Sequence, residues 1–276
     1  MHRAGRAIRI LALLVGSGVP VAALAAAGPE RPALSDAQNL FYNGHYEAAA
    51  ALALSLRASA GPDLANHELR ASALLFQLKA LLKADDDGKD EAFKRCGPCS
   101  ALMTSFLTET GQGRGLARTM LAARPKDEAA LFYLGKLDLN YVWLQLGLLG
   151  RKTGWDEYWE ARHSLDAVLK LNPRHVRARV ARAWIDYIVD TKMPWGTRWV
   201  LGGGNRKRAL AAMRSAAASE TDFFSHVEAE FALWDVQVRE RDMAQAADVA
   251  RRLARDFPEN RELALFLGTN GRSSQR

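Results

Sequence analysis

The sequence predicts an all-α chain of stacked helix pairs, and three observations carry that prediction. Alanine and leucine dominate the composition, with few of the β-branched runs that mark strands. A small alanine is followed twelve residues later by a proline at Ala161 and Pro173, and again at Ala246 and Pro258. A longer register is superimposed, because Ala161 and Ala209 stand 48 residues apart. Periods of this size belong to repeat architectures, in which each helix pair buries its apolar face against the next.

Residues 1–27 read as a secretory leader. Arg3, Arg6 and Arg9 precede an apolar stretch from Ile10 to Leu24, and the small-residue sites Ala23-Leu24-Ala25 and Ala25-Ala26-Ala27 follow. The stretch is short for a membrane span, and neither a twin-arginine pair nor a lipid-bearing cysteine stands near the junction. This predicts a periplasmic or secreted protein that is neither a lipoprotein nor an integral membrane protein once processed. Three of the basic residues behind the net charge of +7 lie in this leader, which leaves a balance of about +4. Basic runs remain at Arg174–Arg179 and Arg206-Lys207-Arg208, read as solvated helix faces. Nothing around them forms a nucleic-acid fold, so no nucleic-acid partner is expected.

Along the remainder, helix pairs are expected near 35–62, 126–173, 174–221 and 224–260 of one domain spanning 28–268, with a disordered tail at 269–276. The first pair rests on Asn43-Gly44-His45-Tyr46-Glu47-Ala48-Ala49 and ends near Gly61-Pro62. Residues 63–124 look helical but fit the repeat poorly, with an acidic break at Asp85-Asp86-Asp87-Gly88. The next pair opens on Pro125-Lys126-Asp127-Glu128-Ala129-Ala130-Leu131-Phe132-Tyr133-Leu134-Gly135 and closes on Leu171-Asn172-Pro173. Proline ends a second helix because it lacks an N–H and clashes with the preceding turn. A small residue such as Ala161 is needed where two helices cross closely.

These phrases resemble the tetratricopeptide repeat. The resemblance implies a right-handed helical solenoid that binds a partner and performs no catalysis. Two repeats depart from the family: Gly135 to Ala161 and Ala183 to Ala209 each span 26 residues where the standard unit has 12. Both middle repeats are therefore expanded by inserted segments, Tyr141–Gly154 and Tyr187–Gly204. Paired insertions on stacked repeats are expected on one face, often the binding face.

The insertions and their borders hold six of the seven tryptophans, Trp143, Trp155, Trp159, Trp184, Trp195 and Trp199, within 57 residues. Such rings suit a concave site for a peptide or small apolar ligand, though they also fill helix stacks. Tyr141, Trp143, Trp155, Trp159, Trp195, Arg198, Trp199 and Asn205 are the candidate binding residues. Asp190–Trp199 reads as a loop, and Gly202-Gly203-Gly204-Asn205 runs into a helix that Asn205 caps. Free N–H groups there offer an anion site beside Arg198 and Arg206, or simply a turn, since P-loop spacing is missing.

Cys96-Gly97-Pro98-Cys99 matches the thioredoxin tetrapeptide, which keeps a thiol–disulfide oxidoreductase open as an alternative. Arg95 precedes it instead of tryptophan, no βαβ pattern surrounds it, and Ser100 excludes haem attachment. A local disulfide in an oxidising compartment is the simpler reading. The histidines form no metal-spaced pair, so no metal and no cofactor are expected. Asp156, Glu157 and Glu160 are read as facing water, and the apolar stretch from Leu137 to Leu149 as a central buried helix. The expanded repeats and the Gly202–Leu210 phrase also resemble the exported repeat subunit of tripartite (TRAP-type) solute importers. That resemblance implies an accessory subunit bearing a pocket.

Overall fold

Helix after helix begins at a capping side chain and stops before a proline, which is how this sequence divides itself. The computed structural model describes residues 33–60, 63–82, 89–151 and 153–270. The leader assigned to 1–27 and the acidic break at 85–88 lie outside these residues, as does the end of the assigned tail. Among the described residues thirteen α-helices follow in order: α1 (Leu34–Tyr42), α2 (Tyr46–Ala60), α3 (Leu64–Leu81), α4 (Lys89–Arg95), α5 (Cys99–Ala123), α6 (Glu128–Val142), α7 (Trp155–Leu171), α8 (Val176–Lys192), α9 (Trp195–Arg198), α10 (Arg206–Ala217), α11 (Phe223–Arg239), α12 (Met243–Asp256) and α13 (Arg261–Asn270). No strand occurs among them.

The side chains of Asp63, Asp127, His175, Asn205, Asp222 and Asp242 each accept a hydrogen bond from an N–H in the first turn of the helix that follows. Each such cap stabilises a helix by about 1 kcal/mol. Pro125, Pro173 and Pro258 stand two residues past the ends of α5, α7 and α12. Helices α1/α2, α6/α7, α8/α10 and α11/α12 are the four expected pairs. Residues 63–124 supply a fifth, α3/α5, which the consensus misses because the short α4 interrupts it. At the Gly135–Ala161 crossing a Cβ on Gly135 would lie 3.0 Å from Leu165 and 3.3 Å from the Ala161 carbonyl. The small residues are therefore required by close approach. The last helix continues to Asn270, two residues into the span expected to be tail.

The first helices of successive pairs line an inner face, and that face is filled by the chain itself. Tyr42 at the end of α1 packs on Phe231, Phe257 and Phe224, with centroids 5.2, 5.4 and 6.1 Å away. Asn260 donates to the Tyr42 carbonyl at 2.7 Å, the Glu259 N–H donates to Asn43 Oδ1 at 3.2 Å, and His45 bonds Glu259. The first pair thus closes against the last. Between them sits a polar knot. Lys136 Nζ donates to Glu228 at 2.7 Å, and Arg177 donates both to Glu228 and to Glu68. Burial works to raise the Glu228 carboxyl, but Arg177 and Lys136 outweigh it and hold it at about 2. Arg177 is therefore an interior residue, which corrects the reading of its basic run as a solvated face. The period of charge along α8 conceals that one arginine points inward.

Candidate functional site

Both insertions lengthen a first helix before they turn. After α6 the chain continues without a break into a π-helical segment, Trp143–Leu148, in which Leu149 N–H donates to the Leu144 carbonyl at 2.9 Å. The wider turn buries both Leu144 and Leu149, five residues apart, in the cluster built by α3 and α5. The expected central helix from Leu137 to Leu149 is thus present and buried. The sequence predicts a loop from Asp190, whereas α8 runs on to Lys192. Its apolar Val189 continues the buried face and outweighs the loop-forming composition that follows.

Beyond α8 the short α9 carries two tryptophans into solvent: Trp195 is 85% exposed and Trp199 77% exposed. The segment holding them is tied at both ends. Arg198 Nη1 donates to Asp190 Oδ1 at 2.8 Å and its Nε to the Met193 carbonyl at 3.1 Å. Downstream, Leu201 is buried, the Tyr158 hydroxyl donates to its carbonyl at 2.8 Å, and Arg162 donates to the Gly202 carbonyl at 2.8 Å. Gly202 and Gly203 have φ of 77° and 72°, and a Cβ on Gly204 would lie 2.5 Å from the Asp190 nitrogen. The three glycines make a fixed reversal against α8.

Asn205 caps α10 through the Arg208 N–H at 2.9 Å, as its sequence position implied. The anion site expected beside it is taken by the chain's own carboxylate, since the Arg206 N–H donates to Asp190 Oδ2 at 2.8 Å. Asp190 thereby joins Arg198 to the start of α10, the place a free anion would take.

The eight candidate residues do not form one surface. Tyr141 and Trp143 are half-buried; Tyr141 lies 3.6 Å from where a Cβ on Gly154 would sit, and Trp143 packs between two core clusters. Trp155 and Trp159 flank Tyr158 in edge-on contacts at 6.4 and 5.3 Å, and Trp159 stacks on His163 at 5.6 Å. Trp195 and Trp199 touch no other ring among the described residues. Glu157 and Glu160, expected to face water, instead receive Arg114 and Arg118 of α5, while Asp156 is exposed. They do so because the polar stripe of α7 lies against a basic stripe on α5.

An open cleft of about 420 Å³ flanks the second insertion, lined by Tyr187, Thr191, Lys192, Arg206, Arg239, Glu240 and Arg241. Four cationic side chains meet one carboxylate there. Arg206 is paired with that Glu240 and Arg239 with Asp235 at 2.9 Å. Sequence reasoning flagged Arg206 but not Arg239 or Arg241. Their spacing resembles an ordinary helix end, and only folding sets that turn beside α8.

Cys96 and Cys99 are brought together with Cα atoms 5.4 Å apart, a separation suited to a disulfide. Cys99 is fully buried at the first turn of α5, and no strand flanks the pair among the described residues. No group of three His, Cys, Asp or Glu able to hold a metal ion occurs among them either. Nor is any described helix long and apolar enough to cross a membrane.

Capped helix pairs, closing prolines and close small-residue crossings define the class: a tetratricopeptide-like helical-repeat fold. No family model matches the sequence, and no curated protein matches it. Among solved structures the chain is similar to a thermophilic TPR protein of Thermus thermophilus, with a TM-score of 0.47 and 17% identity over 86% of this chain and 96% of the other.

Proposed function

We propose that this protein is a non-catalytic scaffold of the cell envelope that holds an acidic segment of a partner protein in the cleft beside its second insertion. The observation that carries this is charge. Lys192, Arg206, Arg239 and Arg241 line an open cleft in which Glu240 pairs with Arg206 and Asp235 with Arg239, leaving Lys192 and Arg241 in excess, while the inner face is occupied by Tyr42 and its aromatic neighbours. A partner must then dock on an outer surface, and a cationic one selects an acidic segment. Residues 1–27 support export, and in an oxidising compartment Cys96 and Cys99 form a local disulfide. An accessory subunit beside a solute importer is one form such a scaffold takes. A small apolar ligand fits the cleft less well, since its lining is mostly charged.

The test is photo-crosslinking in intact cells from a probe placed at Thr191, with the products identified by mass spectrometry. A discrete adduct that disappears in K192E/R241E supports the reading; an adduct indifferent to that reversal sinks it. Fractionation of the same cells checks export, and thiol trapping of the purified chain checks the disulfide.

A further inference from the structure

The charged cleft leaves the exposed tryptophans unexplained. Trp195 and Trp199 are four apart on one helical turn, so both rings fall on the same side, with Val200 (53% exposed) beside them. They contribute nothing to the core, line no part of the cleft, and project from the surface. Their mounting is nevertheless rigid: Arg198 ties the segment to Asp190 and the Met193 carbonyl, and Tyr158 and Arg162 hold its far end at Leu201 and Gly202. Large apolar side chains held out into water by a fixed support mark a docking element.

Charge identifies the occupant. Residues 190–208 contain five basic residues (Lys192, Arg198, Arg206, Lys207, Arg208) and one acidic one, Asp190, a local balance of +4. Arg198, Arg206 and Arg208 pair with Asp190, Glu240 and Asp186, which leaves Lys192 and Lys207 as the exposed cations of the segment outside those pairs. Exposed indoles with lysines nearby in the chain are the composition of a membrane-interface anchor. Indole rings settle at headgroup depth, and basic side chains meet anionic headgroups. A protein partner would instead be expected to offer pockets for aromatic anchors beside a groove, and the tryptophans stand outside the cleft that adjoins them.

We infer that the second insertion is a peripheral membrane anchor: Trp195, Trp199 and Val200 enter the interface of a bilayer containing anionic phospholipid, and Lys192 and Lys207 bind its headgroups. This goes beyond the scaffold reading. It would set the cationic cleft, and any partner within it, close to a membrane surface without a spanning helix.

The experiment uses the full chain with an environment-sensitive fluorophore on a cysteine at Thr197, an exposed position between the two tryptophans. The probe reports on the tip alone, so attachment of vesicles through residues 1–27 does not mimic the result. Vesicles of phosphatidylcholine with phosphatidylglycerol are expected to blue-shift and brighten the probe, and vesicles of phosphatidylcholine alone to leave it unchanged. W195A/W199A should abolish the response while circular dichroism stays that of the parent. K192Q should weaken partition about fivefold at low salt, and added salt should weaken it further. An unchanged probe on anionic vesicles overturns the proposal, as does an equal response to neutral ones or a full response in W195A/W199A. A probe that answers to polyglutamate but not to vesicles also overturns it, and assigns the tip to an acidic protein. Loss of the Thr191 adduct in R241E, a cleft residue outside the anchor, tests the cleft separately, so either idea can fail alone.

Discussion

The two expanded repeats, 126–173 and 174–221, were built on one plan and put to different uses. In each, the first helix carries a buried aspartate, Asp138 on α6 and Asp186 on α8, 48 residues apart. In each, an arginine on the preceding second helix faces it, Arg114 on α5 and Arg162 on α7, again 48 apart. In each, the insertion folds back on the preceding repeat. The first sinks Leu144 and Leu149 into the α3–α5 cluster and half-buries Trp143, whereas the second, beyond the end of α8, buries Leu201 alone and leaves Trp195 and Trp199 in solvent. The first insertion therefore joins repeats, and the second is free to meet something else. The electrostatics differ in parallel. Asp186 has Arg182 at 2.6 Å in poor alignment, Arg208 at 3.0 Å in a hydrogen bond and Arg162 at 4.0 Å, while Asp138 has Arg114 at 2.7 Å, also in poor alignment, and the Glu160 carboxylate nearby.

The sharpest break in the comparison comes at Asp186. D186N removes the charge shared by the buried Arg162, the mostly buried Arg182 and the exposed Arg208, and breaking a buried pair costs about 3 kcal/mol. Urea denaturation at neutral pH should show a loss of that size with an unchanged m-value. A loss below about 1 kcal/mol would mean that Asp166 and the solvent compensate Arg182 and Arg208, and the site would be peripheral.

The tryptophans come next. W143A should cost about 2–3 kcal/mol, because its ring packs between two clusters that cannot both close over the gap. W195A and W199A should each change stability by less than about 0.5 kcal/mol, as surface substitutions do. Equal losses at Trp143 and Trp195 would erase the distinction between a joining insertion and a docking one. A smaller effect lies at the glycine reversal. G202A forces a side chain into positive φ and brings its Cβ 2.9 Å from the Arg162 guanidinium, and thermal unfolding should report about 1–2 kcal/mol lost.

How far the sequence revealed this difference depended on which physical signal each feature leaves. Crossing residues and stops are short-range, so Gly135, Ala161, Pro173 and Pro258 announced the helix pairs and their register. The α3/α5 pair escaped because its closing features are spread through α4 and a 25-residue helix. Among the candidate residues, the capping preference of asparagine marks Asn205 at the start of α10, whereas composition alone does not tell the exposed Trp195 and Trp199 from the half-buried Trp143. Trp143 was grouped with them because an indole in sequence carries no sign of whether a π-helical turn will roll it inward. Partnerships were the least legible. Arg177 with Glu68 spans 109 residues, and nothing local in the Arg174–Arg179 run distinguishes it from its solvated neighbours. The same holds for Asp190, whose carboxylate takes the anion position only once α8 and α10 lie side by side.

The last test separates the two aspartates by pH. Burial, with Glu160 adding and Arg114 opposing, pushes the Asp138 carboxyl up to about 8. Neither of its oxygens has a hydrogen-bond partner, although Arg114 Nε lies 2.7 Å from Oδ1. In the unfolded chain an aspartate titrates near 3.9. Between those values the native state holds a proton that the unfolded state has released. The stability this group contributes is therefore complete below pH of about 4 and is lost as pH rises through about 8. D138N supplies an N–H donor to Glu160 and cannot ionise. Relative to the parent it should gain progressively from pH 5 to pH 8 and level off above, measured by urea denaturation across that range. D186N should be unfavourable at neutral pH, because its partners are cations rather than a carboxylate. A flat D138N profile would place Arg114 in control of Asp138 after all, and the two repeats would then share one electrostatic design. A rising profile beside an unfavourable D186N shows that the two buried aspartates answer to different neighbours, a carboxylate at Asp138 and guanidinium groups at Asp186.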